Sequence, residues 1–143
     1  MIKWAGVLIV VYGIAHTIGA LTALGAAGHA DVWFSRDLWT EDLSDMSPAM
    51  SAYWLSVNSF GPPLVLVGLT VLWLDRRGIT PPSFIAWSMV CWLVAGTVMA
   101  GPGVGQDLIL LTAAVLLLVA ASRARRSEAV RPTEPVPHHG TPA

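Results

Sequence analysis

The chain has 143 residues, 55% of them hydrophobic and 12% charged, with a mean hydropathy of +0.63. Soluble domains carry about a quarter charged residues, so the composition suits lipid rather than water. A net charge of −1 leaves no basic surplus for a nucleic-acid partner, and the single cysteine, Cys91, excludes an internal disulfide, a two-cysteine metal site and a CxxC redox motif.

Four apolar stretches follow one another along the chain. The first expected span runs over 4–24, with no charge between Lys3 and Asp31. It exceeds the roughly 7–15 apolar residues of a signal-peptide core, which argues against its removal. The segment from Gly25 to Met46 sets Val32, Trp33, Phe34, Leu38, Trp39 and Leu43 among Asp31, Asp37, Glu41, Asp42 and Asp45. The spacing of these apolar residues is close to helical, and it predicts a short helix lying on the membrane surface.

The second span is expected over 48–74. Ser47 and Pro48 supply an N-cap and a first-turn proline, and Asp75-Arg76-Arg77-Gly78 stops the helix. The third, 83–100, starts after Pro81-Pro82 and is closed by Gly101-Pro102-Gly103; the fourth, 107–122, is closed by Arg123, Arg125 and Arg126. The expected fold is therefore all-α: a bundle of four transmembrane helices over residues 1–122. A cytoplasmic tail over 123–143, rich in proline and charge, cannot bury a core. His138-His139 in that tail reads as solvated.

Basic residues flanking spans favour the cytoplasm. Lys3, the Arg76-Arg77 pair and the Arg123–Arg131 cluster alternate with an acidic 25–46 segment and a 101–107 segment without a base. Both termini are thus expected inside, in a multi-pass protein of the plasma membrane. Its expected partners are the lipid bilayer and a second copy or larger membrane protein; no cofactor, metal, nucleic acid or enzymatic activity is indicated.

Polar groups at membrane depth mark candidate sites, because burying them in hydrocarbon is unfavourable. At 1.5 Å per helical residue, His16 lies about 20 Å from the inner face and Asn58, Pro62, Thr97 and Asp107 about 20–26 Å. Pro62 and Pro63 cannot donate to the carbonyls of Asn58 and Ser59 four residues back, so the second span is expected to kink or break there. The layer His16, Asn58, Ser59, Pro62, Thr97 and Asp107 is the candidate polar site. Its simplest role is structural, His16 bonding a freed carbonyl; the alternatives are a small-molecule or minimal transport site, and a lipid- or quinone-modifying centre. Gly6, Gly13, Gly19 and Gly25 give the first span small residues that let a second backbone come close.

The segments Pro48-Ala49-Met50-Ser51-Ala52-Tyr53-Trp54, Ser59-Phe60-Gly61-Pro62-Pro63 and Leu74-Asp75-Arg76-Arg77-Gly78-Ile79-Thr80-Pro81-Pro82 carry a resemblance. In them the chain resembles a group of short four-helix bacterial membrane proteins, common in actinobacteria and classed as a domain of unknown function. Seven arginines against one lysine fit a GC-rich genome. The resemblance covers about residues 1–122 and implies four helices in a membrane, with no activity, cofactor or catalytic residue.

Overall fold

The computed structural model describes residues 1–101 and 106–130. They form an all-α fold, with no strand among the described residues: α1 Ile2–Thr22, α2 Ala30–Ser35, α3 Pro48–Leu55, α4 Gly61–Arg76, α5 Ser83–Ala100 and α6 Gln106–Val130. Short 3-10 turns at Ala26–His29 and Asp37–Thr40 flank α2. The terminator expected at Pro102-Gly103 and the tail from Arg131 on lie outside the described residues.

Two expectations change. The 48–74 span is not one helix: it breaks before Pro62-Pro63, the second of the two outcomes expected there, with α3 ending at Leu55, α4 beginning at Gly61 and an irregular chain between them. Pro62 and Pro63 fall in the first turn of α4, where an amide has no intrahelical acceptor in any case, so they start a helix rather than kink one. The second change is in the tail. Helix α6 passes residue 122 and continues to Val130, because Ser122-Arg123-Ala124-Arg125-Arg126-Ser127-Glu128-Ala129 is rich in strong helix formers.

Of the four expected spans, α1 and the Asp107–Ala129 stretch of α6 are long and apolar enough to cross a membrane. The Ser83–Met99 stretch of α5 is apolar but shorter. Helix α4 has 16 residues, about 24 Å at 1.5 Å per residue, below the roughly 30 Å of a bilayer core. Gly78 ends it with φ 68° and a Schellman pair, Gly78 N donating to Asp75 O at 3.0 Å and Ile79 N to Leu74 O at 3.0 Å.

The packing order across the molecule is α4, α1, α6, α5. Helices α1 and α4 run antiparallel and nearly touch. A Cβ on Gly68 would lie 2.9 Å from the Gly6 carbonyl and 2.9 Å from the Val10 amide; one on Gly13 would lie 2.7 Å from the Gly61 carbonyl. Two glycine pairs, each seven residues apart, therefore face each other across this seam. Gly6 and Gly13 act as their sequence suggests, but Gly19 and Gly25 have open space around them. The core gathers Ala5, Ile9 and Tyr12 of α1, Val71 of α4, Ala86 and Met89 of α5, and Leu110, Ala113, Ala114 and Leu117 of α6.

The 25–46 segment folds over the end of the bundle where α3 begins. Trp33 Nε1 donates to the Ala49 carbonyl at 2.9 Å, and its ring meets Tyr53 edge-on at 6.1 Å. Ser47 caps α3 by accepting from Met50 N at 3.1 Å, while its own hydroxyl donates to Glu41 Oε1 at 2.8 Å. The helical spacing noticed in the sequence thus becomes one short α-helix between two 3-10 turns.

Candidate functional site

The irregular stretch between α3 and α4 is held by its own serines. Ser56 is fully buried and donates to the Ala52 carbonyl at 2.6 Å. Ser59 Oγ donates to the Ser56 carbonyl at 2.8 Å and accepts from Gly61 N at 3.2 Å, joining the two helices across the break. This geometry delivers Phe60 to the centre of an aromatic cluster. Its ring lies 4.0 Å from His16, 6.2 Å from Tyr12 (stacked) and 6.2 Å from Trp92 of α5 (edge-on). Phe60 thereby links α1 to α5 through the middle of the molecule.

His16 is half-buried, and its Nε2 is buried with no hydrogen-bond partner among the described residues. The bond to a freed carbonyl expected from the sequence is therefore not made. The physical reason is the position of the break: with the prolines in the first turn of α4, Phe60 occupies the space beside the imidazole. An unpaired buried nitrogen is unfavourable by about 1–3 kcal/mol, and native proteins rarely leave one without a purpose.

The other members of the expected layer divide. Ser59 and Pro62 flank Phe60 and Gly61 and so stay near His16. Pro62 itself is exposed at the start of α4, and Asn58 is exposed at the break. Thr97 is exposed on α5 and donates to the Leu93 carbonyl of its own helix at 2.9 Å. Asp107, at the start of α6, is half-buried and acts electrostatically on Tyr12. One layer of shared depth has become two neighbourhoods, one around His16 and Phe60 and one around Tyr12 and Asp107. Tyr12 connects them, since it stacks on Phe60.

Sequence reasoning missed Tyr12, Phe60 and Trp92. Tyr12 was the accessible one: it lies one helical turn before His16, on the same face of an otherwise apolar helix. Phe60 and Trp92 have no comparable signal, because an aromatic residue in an apolar helix fits lipid contact as well as a core.

Helices α4 and α5 stay apart, and a groove of about 670 Å³ opens between them. Phe60, Leu64 and Val67 form one wall, Phe84, Met89 and Trp92 the other, with Leu110 of α6 also lining it. Its two hydroxyls are already engaged by their own helices. Thr70 donates to the Leu66 carbonyl at 2.8 Å and Ser88 to the Phe84 carbonyl at 2.8 Å. The groove therefore offers an apolar surface, and Phe60, which lines it, also packs against His16.

The structure defines an all-α protein with an apolar groove beside a half-buried aromatic and histidine cluster, in which, among the described residues, two helices are long and apolar enough to cross a membrane. The chain belongs to a family of unknown function, DUF6463, which matches residues 1–125. No curated protein and no solved structure matches it.

Proposed function

We propose that this is a non-enzymatic, multi-pass protein of the bacterial inner membrane, crossing four times with both termini in the cytoplasm, and that it binds an apolar molecule between α4 and α5. The groove is the observation that carries the binding reading: its volume falls within the range of about 300–1,000 Å³ typical of ligand sites. A chemical step needs a nucleophile or a general acid and base at the reacting atoms, whereas this lining is aliphatic and aromatic with two spent hydroxyls.

Four crossings follow if α3 and α4 together make one interrupted crossing and α5 another. A broken helix is tolerated at membrane depth where it is buried in protein or lines a cavity; Ser56 at the break is fully buried, and the exposed Val57 and Asn58 would need a protein partner or water beside them. The exposed outer part of α5, with Val94, Val98 and Met99, is the surface on which a second copy or a larger membrane protein would pack.

The test is photo-crosslinking of the reconstituted protein with an alkyl diazirine. Labelling should concentrate on α4 and α5 and fall sharply in Ser88→Trp, which fills the groove from an exposed position. Labelling spread evenly over all lipid-facing helices, and unchanged in that variant, would remove the basis of the binding reading.

A further inference from the structure

The groove's walls and the unpaired nitrogen beside Phe60 together restrict what can occupy it. We infer that the occupant is an amphiphile with a long apolar chain and one neutral oxygen head, a carbonyl or a hydroxyl, and that the head bonds His16 Nε2 once Phe60 turns aside. This rests on the groove-binding reading above.

The chain part follows from the lining. Leu64, Val67, Met89 and Leu110 are aliphatic, Phe84 and Trp92 aromatic, and Thr70 and Ser88 spend their hydroxyls on their own helices. A polar ligand body would lose its hydration there and find in return only the two hydroxyl oxygens of Thr70 and Ser88, which can still accept. A neutral head is the simplest fit, since the groove lining holds no titratable side chain and His16 alone would be left to offset a charge.

The anchor follows from His16. Its Nε2 is the one buried side-chain nitrogen or oxygen left without a partner among the described residues. Its imidazole packs, at 4.0 Å between ring centres, against the Phe60 ring that lines the groove. An imidazole nitrogen donates or accepts according to tautomer, so it pairs with a carbonyl in one form and a hydroxyl in the other.

Phe60 is suited to move. It precedes α4, follows the irregular stretch from Ser56, and is half-buried at the groove's edge rather than locked within a helix. Its displacement would let the head satisfy the nitrogen.

The experiment uses the full chain in nanodiscs of phosphatidylethanolamine and phosphatidylglycerol, with three diazirine-bearing ten-carbon probes. One ends in a benzoquinone, one in a hydroxyl and one has no head. In the unmodified protein, the quinone or the hydroxyl probe should half-saturate at a concentration about three- to tenfold below the headless one, the scale of one hydrogen bond. The arm showing this gain identifies the head.

His16→Leu should erase the gain and leave headless labelling unchanged; His16→Gln, which keeps a hydrogen-bonding group, should retain most of it. Phe60→Ala should tighten the head-bearing probe by opening the path. Equal labelling by all three probes in the unmodified protein overturns the inference, as does a gain that survives His16→Leu. Should His16→Leu not fold, loss of the gain in a folded His16→Gln would overturn it as well. If Ser88→Trp blocks the headless probe while His16 has no influence, only this inference fails. If Ser88→Trp blocks nothing, the groove-binding reading fails with it.

Discussion

At the scale of single residues, the seam between α1 and α4 rests on hydrogen atoms in place of side chains. At Gly68 a methyl group would sit 2.9 Å from two backbone atoms of α1, which cannot yield without moving the whole helix. Gly68→Ala is therefore expected to destabilise the protein by about 1–3 kcal/mol, the range for overpacking, read as a lower Tm in detergent. Gly19→Ala is the control. Nothing lies near its Cβ position, so the substitution should be neutral or favourable by up to about 1 kcal/mol through helix propensity.

Trp33→Phe would keep the edge contact with Tyr53 but lose the donor to Ala49, a loss of about 1 kcal/mol. A different signature belongs to Asp42. The Ser44 amide donates to its Oδ1 at 2.9 Å and holds the carboxyl below the usual carboxylate range. The ordering it provides is complete above that range and is lost as pH falls through the depressed value. The Ser44 amide should therefore gain exchange protection, read by NMR as pH rises from strongly acid to 5; protection that stays flat across the range would contradict this.

At the scale of elements, the break between α3 and α4 is maintained by side chains and less by its prolines. Ser59 donates to the Ser56 carbonyl and accepts from the Gly61 amide, so it pairs the first amide of α4 from the residue before its N-cap Phe60. Ser59→Ala should destabilise by about 1 kcal/mol, the scale of one hydrogen bond, and should also loosen Phe60 against His16. Replacing Pro62 and Pro63 together by alanine should matter less, by under about 1 kcal/mol, since the first turn needs no amide donors. A larger loss in the double variant than in Ser59→Ala, measured by thermal melting, would return the prolines to the leading role that the sequence suggested.

At the scale of the whole molecule, charge is distributed by end. The start of α1, the end of α4 and the end of α6 lie together, as the contact of Arg123 Nη1 with Met1 Sδ at 3.2 Å shows. That end carries Lys3, Arg76, Arg77, Arg123, Arg125 and Arg126 against Asp75 and Glu128; the other carries Asp31, Asp37, Glu41, Asp42, Asp45 and Asp107 against Arg36. Trp73 sits under Arg77 at 5.2 Å at the basic end, and Trp39 under Arg36 at 5.4 Å at the acidic one, both suited to headgroup level. In the proposed orientation, reporter fusions after Gly78 and Arg126 read cytoplasmic and those at Asp42 and Gly101 read external. A cytoplasmic signal at Asp42 would invert it.

Much of the fold was legible because lipid-compatible composition, helix ends and basic flanks are local properties. The apolar stretches, the stop at Gly78, the proline start of α5 and the close-packing Gly6 and Gly13 need only a few neighbouring residues to be read. Which face of each helix turns inward is another matter. In helices apolar nearly all round, hydrophobicity no longer distinguishes core from surroundings. The break before Pro62-Pro63 was legible in the same local way, whereas the length of the irregular stretch from Ser56 to Phe60, the packing order α4, α1, α6, α5, and the gap between α4 and α5 emerged only from tertiary packing. So did the fate of the polar layer. Equal depth along a span says nothing about rotation around it, which is why Thr97 turned outward while His16 turned against Phe60, and Asn58 lies exposed because the helix is interrupted there.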